Sequence, residues 1–195
     1  MDQSLTRPIE NATKRNRIHP HKLALWVGLA SIMMMFTALT SAYIVRMAAG
    51  NWLEFQIPDI FYWNTAVIVA SSISLHVSYE SFKRGAARPY RILLGVTLAL
   101  GFLFLYLQYV GWQQLAAYVP LKTNPAGDFV YVLSWLHAAH VVGGIAILMV
   151  ALIIALLLPA KITPARKLRF QLSLTYWHFI DLLWIYLLVF MSMQR

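Results

Sequence analysis

Six side chains with chemistry of their own sit inside, or at the edge of, long apolar stretches of this chain: His76, Glu80, His137, His140, His178 and Asp181. Imidazoles and carboxylates ligate metals, carry protons and make strong hydrogen bonds, and in hydrocarbon each must have a partner or a purpose. His137 and His140 are three residues apart, so on a helix they share a face. Gly144 lies four beyond His140 with Gly143 beside it, which leaves that face open to the close approach of another backbone. His178 and Asp181 have the same three-residue spacing, and a carboxylate there is expected to hydrogen-bond the imidazole and fix its tautomer. Three chemistries fit the set. The first is an interhelical hydrogen-bond cluster that fixes the register of a bundle, each bond worth about 0.6–2 kcal/mol. The second is a metal or haem site, for which two histidines at this spacing are a weak signature. The third is a proton or ion relay. The structural cluster is the preferred reading.

The elements that must hold these groups are legible from hydropathy. Five stretches, Leu23–Val45, Ile60–Tyr79, Ile92–Leu115, Phe129–Leu158 and Phe170–Met193, are each 20 residues or longer and nearly free of charge. A helix rises about 1.5 Å per residue and the hydrocarbon core is roughly 30 Å thick, so about 20 residues span it. The stretches are continuous and too long for the alternating ten-residue strands of a membrane barrel. The expected fold is all-α, a single five-helix transmembrane domain over 23–195 preceded by a polar segment, 1–22. Within it, His140 lies roughly 17 Å along its helix from Phe129, and Asp181 roughly 16 Å from Phe170, so the two pairs can face each other near mid-membrane. His76 and Glu80 fall at the end of span two.

Composition agrees. The chain is 60% hydrophobic and 12% charged, against roughly 45–50% and 25% in soluble domains. It has no cysteine, which excludes disulfides, thiolate metal sites, iron–sulfur clusters, covalently attached haem and thiol catalysis. The net charge of +9 is distributed as topology. Thirteen of the sixteen Lys and Arg lie before span one, between spans two and three, or between spans four and five. Only Arg46, Lys122 and Arg195 lie on the other side. The positive-inside rule places the N-terminus in the cytoplasm and the C-terminus in the periplasm, and nucleic-acid binding is not expected. Span one is expected to stay as an uncleaved anchor.

The remaining signals have structural readings. His19-Pro20-His21 is expected to be a cap at the entry to span one. Trp52, Tyr62, Trp63, Trp112, Tyr118 and Tyr131 read as an interfacial aromatic belt. Met33, Met34 and Met35 diverge by about 100° per residue and cannot converge on one ion. Arg46 reads as a snorkelling rim residue. The loops 47–59 and 116–128 carry turn residues, and Pro159 and Pro164 bound the last loop. No internal repeat is present.

The last span reads Tyr176-Trp177-His178-Phe179-Ile180-Asp181-Leu182-Leu183-Trp184. This resembles the closing helix of subunit III of the haem–copper oxidases, the cytochrome c oxidase type, in a compact five-helix bacterial form. His137-x-x-His140-Val141-x-x-Gly144 resembles the preceding helix. Asn64-Thr65 with Ala70-Ser71, and Thr97, Gly101 and Leu107-Gln108, resemble two earlier ones, in family order, so the likeness covers roughly residues 25–193. There are departures. Mitochondrial members have seven helices, and this chain matches the last five. A buried Glu of many members is Ile32 here, paired histidines become Tyr79-Glu80, and a Glu after the Leu-Gln pair becomes Gly111.

The resemblance implies a subunit without redox centres or catalytic residues. Haem and copper are expected in partner subunits, and no cofactor or metal ligand in this chain. It implies packing beside the catalytic subunit I and other oxidase subunits, phospholipid binding in a cleft, and support of proton uptake and stability, with respiratory supercomplexes as a further setting. The whole complex would pass electrons from cytochrome c to oxygen and pump protons across a bacterial cytoplasmic membrane. A relative in a quinol oxidase or nitric oxide reductase is the nearest alternative. A free-standing transporter or haem-binding membrane protein is the alternative of another class.

Overall fold

The computed structural model describes residues 19–158 and 162–193, so the polar leader 1–18 lies outside it. Five helices follow in order: α1 Pro20–Ala48, α2 Ile60–Lys83, α3 Ala87–Tyr118, α4 Pro125–Leu157 and α5 Pro164–Met193. There is no strand among the described residues. All five helices are long and apolar enough to cross a membrane.

Four of the helices begin three to six residues before the apolar spans do, because a helix continues past the hydrocarbon wherever its ends are satisfied. α1 starts at Pro20, whose missing N–H is one of the unpaired donors of a first turn anyway, and the His19 side chain accepts from the His21 N–H at 3.4 Å. α4 starts the same way: Pro125 opens it and the Asn124 side chain accepts from the Ala126 N–H at 2.9 Å. The same Asn124 oxygen accepts from the Leu53 N–H, and its amide donates to the Asn51 carbonyl, so one residue ties the α1–α2 loop to the head of α4. α2 ends in a Schellman turn. Ala86 N–H bonds the Ser81 carbonyl and Gly85 N–H the Phe82 carbonyl, with Gly85 at φ 74° where a Cβ would be strained. At the end of α1, Arg46 donates to the Gly50 carbonyl at 2.8 Å, a local role beyond snorkelling.

α2 packs on α3 and α5, α4 packs on α3 and α5, and α1 touches only α4 and α5. The core is therefore a square of α2, α3, α4 and α5, with α1 outside the α4–α5 edge. α5 is the most buried helix and α1 the least. The α2–α3 contact explains a run that hydropathy alone leaves blank. Ser71, Ser74 and Ser78 recur on one face of α2 and donate to the Thr97, Leu93 and Tyr90 carbonyls of α3. Small hydroxyl residues let two backbones approach closely in a membrane and supply bonds where hydrocarbon offers none.

The aromatic belt divides in two. Trp63 and Tyr118 are largely exposed. Trp52, however, packs edge-on against Tyr43, Trp112 donates to Ser134 at 2.9 Å, and Tyr131 is buried. An aromatic near the end of a span serves the core when a polar partner faces its N–H or O–H.

Candidate functional site

The six sequence-predicted residues fall into three places. His137 is at the centre of the bundle with no exposed surface. Its ring lies 5.0 Å from the Trp184 ring of α5 and 5.8 Å from Phe104 of α3, and neither nitrogen has a hydrogen-bond partner. His140 faces outward from the same helix. Its Nδ1 is 2.7 Å from the Leu136 carbonyl, and its ring meets Phe36 of α1 edge-on at 5.8 Å. His178, half-buried, bonds Ser72 of α2 through Nδ1, with the His76 ring 5.9 Å away. Glu80 is drawn off to the rim by a 2.6 Å ion pair with Lys83.

Asp181 differs from the sequence expectation. The imidazole of His178 turns to Ser72 instead of to the carboxyl three residues on. The Ser72 hydroxyl lies beside Asp181 as well, but its geometry serves the imidazole. Neither carboxyl oxygen has a hydrogen-bond partner, although the residue is only 4% exposed. His137 and His140 do not bond α5 through their rings either. The α4–α5 tie passes through the backbone: Tyr176 donates to the His140 carbonyl at 3.0 Å.

The stronger ties join α5 to α2. Trp177 Nε1–H donates to Ser71 Oγ at 3.1 Å, Trp184 Nε1–H to Thr65 Oγ1 at 3.0 Å, and Gln171 Nε2–H to Tyr79 Oη at 2.8 Å. The Trp177 ring fills the space left by Gly144 of α4 and Gly101 of α3. A Cβ built at Gly144 would lie 2.9 Å from Trp177 Cζ3, and one at Gly101 3.1 Å from Cη2. The glycine face on α4 thus admits an indole ring and not a second backbone, because the nearest helix presents a tryptophan at that level.

Asn64 and Gln108 form a further pair that the six did not include. Both are fully buried, and Asn64 Nδ2–H donates to Gln108 Oε1 at 2.7 Å. The bond leaves Asn64 Oδ1 and Gln108 Nε2 without partners. A lone Asn or Gln in an apolar run is the signal that finds such a pair, since each amide needs the other. Asn64→Leu alone should therefore destabilise the bundle by about 1–3 kcal/mol, because it orphans a buried Gln108. Adding Gln108→Met should recover most of that loss. Unfolding of the two single variants and the double variant in detergent measures it, and simple additivity would contradict the pairing.

The two histidines of α4 do not point to one place. His137 and His140 diverge, one into an aromatic box and one toward α1. Among the described residues no three His, Asp or Glu side chains converge. The hydrogen bonds around the site join helices. Its indoles, amides and hydroxyls cross from α5 to α2 and from α2 to α3 at successive depths.

Fold and site together define a multi-pass helical membrane protein whose embedded polar groups serve mainly to bind one helix to the next. Comparison with known proteins then gives the lineage. The family described as cytochrome c oxidase subunit III matches residues 53–194, which takes in α2 to α5 and leaves α1 outside the match. A cytochrome c oxidase subunit 3 from Thermostichus vulcanus is 29% identical, over 85% of this chain and 83% of its own. A probable cytochrome c oxidase subunit 3 from Nocardia farcinica is 28% identical, over 93% and 90%. The Gallus gallus cytochrome c oxidase subunit 3 is 30% identical over 67% of this chain but only 48% of its own length. The chain belongs to the cytochrome c oxidase subunit III family.

Proposed function

We propose that this chain is the non-redox subunit III of a proton-pumping respiratory terminal oxidase that passes electrons from cytochrome c to oxygen. It supports the stability, lipid binding and proton uptake of the catalytic subunit. The observation that carries the reading is the closing helix. Its two tryptophans are locked to α2, and its His178 and Asp181 make no ligand set with the histidines of α4. Such a helix suits a scaffold, and membership of the family supports assigning electron transfer to haem and copper in partner subunits.

The chain lies in a bacterial cytoplasmic membrane with its N-terminus inside. Lys22, Lys83, Arg84, Arg88, Arg91, Arg166, Lys167 and Arg169 crowd one end of the bundle, as the positive-inside rule requires of a cytoplasmic end. At this end a cleft of about 300 Å³ runs between α4 and α5, with Arg169 at its mouth and Ile147, Val150 and Ile154 along its wall. In this reading it takes part of one acyl chain of a phospholipid along the apolar wall, with the phosphate at the guanidinium.

Purification of a tagged chain from native membranes in mild detergent tests the assignment. The expected result is co-purification of a haem–copper subunit I with further oxidase subunits and phospholipid. Recovery of the chain alone from membranes that contain active oxidase would overturn it.

A further inference from the structure

The Asp181 carboxyl is 4% exposed, neither of its oxygens has a hydrogen-bond partner, and no Lys or Arg lies within the apolar length of any span. A carboxylate stripped of water, donors and counter-ion is costly in hydrocarbon, so in such a place the group holds its proton. The bonds that tie α5 to α2 pass this acid by, through Trp177 on one side of it and Trp184 on the other.

One line of polar groups leads from the carboxyl to the surface. The Ser72 hydroxyl of α2 lies beside it and bonds His178 through Nδ1. The His178 ring is half-buried and lies 5.9 Å from the ring of His76, which is exposed. Ser72, His76 and Glu80 recur every four residues, so they share one face of α2. That face climbs about 12 Å from Ser72 to the Glu80–Lys83 ion pair at the basic rim. Toward the other end the line stops. Trp184 and Leu188 of α5 and Ile68 and Phe61 of α2 follow on the next turns, all buried, and the Trp184 N–H is taken by Thr65. From α4, His137 is enclosed against Trp184 and His140 faces α1, and neither ring bonds Asp181. α3 carries no titratable residue between Arg91 and Tyr106.

We propose that Asp181 is a proton-binding site in exchange with the basic end of the bundle alone, through Ser72, His178 and His76. The transfer balances. Asp181 gives its carboxyl proton to Ser72 Oγ as the hydroxyl proton passes to His178 Nδ1, and His178 Nε2–H releases a proton to His76 or to water at the exposed wall. The serine is unchanged, the imidazole has changed tautomer, one proton has left, and the reverse sequence restores the acid. This exchange is a property of the chain itself. Its use, as a proton store beside the catalytic subunit, rests on the function proposed above.

Infrared spectroscopy of the purified complex, moved from ordinary into heavy water, tests it. The C=O stretch of a neutral, buried carboxyl is expected, and it is absent from Asp181→Asn. The rate at which that band shifts in heavy water reports the exchange. Ser72→Ala and His76→Phe should each slow the shift by at least about tenfold, with thermal unfolding unchanged. His21→Phe, exposed at the same end but off the line, should leave the rate as it is. Where Ser72→Ala also lowers thermal stability, His76→Phe decides alone, since its side chain is exposed.

A spectrum with no neutral-carboxyl band that Asp181→Asn removes would overturn the proposal. So would exchange at the unaltered rate in His76→Phe, which marks access by opening of the bundle and not by the polar line. Equal slowing by His21→Phe would overturn it too. In each of those cases oxidase subunits still co-purify with the unaltered chain, and the proposed function stands. Absence of any oxidase subunit from that preparation overturns the functional reading and the store's use, and the same band still decides the exchange.

Discussion

Trp177→Ala should be among the most damaging single substitutions in the bundle, lowering stability by about 3–5 kcal/mol. The indole is 1% exposed and occupies the joint of three helices: its ring lies over Gly101 of α3 and Gly144 of α4, and its N–H reaches Ser71 of α2. Transfer from lipid gives little driving force between helices, so the loss is chiefly one of contact. Removing the ring opens a void beside two glycines, which have no side chains to fill it, and the lining atoms lose their partners outright. The same change strips Ser71 of its donor. Trp177→Phe keeps much of the volume and loses the hydrogen bond, so it should cost clearly less. Unfolding of the three proteins by titration with a denaturing detergent gives the values. A loss under about 1 kcal/mol for the alanine variant would mean that the joint is not where the structure places it.

Gly144→Val approaches the same joint from the other side and should cost about 3 kcal/mol or more. Its first added carbon alone would sit 2.9 Å from Trp177 Cζ3, 3.0 Å from Cε3 and 3.2 Å from Tyr176 Cε1. None of these atoms is the tip of a flexible chain, so either rings or helices must move. Movement of α5 relative to α4 would also break the Tyr176 bond to the His140 carbonyl. The two predictions are linked and can be checked as a cycle. In Gly144→Val combined with Trp177→Ala, the valine enters the vacated space, and the double variant should lose markedly less than the sum of its parts. Strict additivity would show that the valine and the indole do not meet. The neighbouring Gly143 makes a useful contrast, since a Cβ there would lie 3.6 Å from Tyr176 Oη and Gly143→Ala should be nearly neutral.

The number and position of the helices were legible because a span must be apolar for its full length, and nothing else in the chain has that property. Their ends were not. Arg88 and Arg91 lie within α3, and Arg166, Lys167 and Arg169 within α5, since hydropathy ends where lipid ends but hydrogen bonding does not. The site was half legible. His178 and Asp181 announce themselves as polar groups in lipid. The residue that His178 bonds, Ser72, lies 106 positions earlier, and only packing of α5 on α2 brings them together. Serine and threonine raise little alarm in a membrane span because their hydroxyls can return to their own helix, as Thr37 does to the Met33 carbonyl. Ser71, Ser72 and Thr65 carry no local mark that sets them apart from it. The tryptophans were recognisable through the closing motif, yet their function as bolts between α5 and α2 depends on which hydroxyl stands opposite. Asp181 is the instructive departure. Spacing put a histidine within reach, but a better-placed hydroxyl on another helix took it.

The central claim is that this polypeptide contributes architecture to an oxidase and holds no redox centre. It is tested most directly by separating the chain from its purified complex and measuring iron, copper and visible absorption in both fractions. The account predicts haem absorption and copper with the remaining subunits, and neither above trace amounts with the isolated chain. Iron or copper in fixed proportion to that chain, with a haem or copper spectrum that His137→Phe or His178→Phe abolishes, would contradict it.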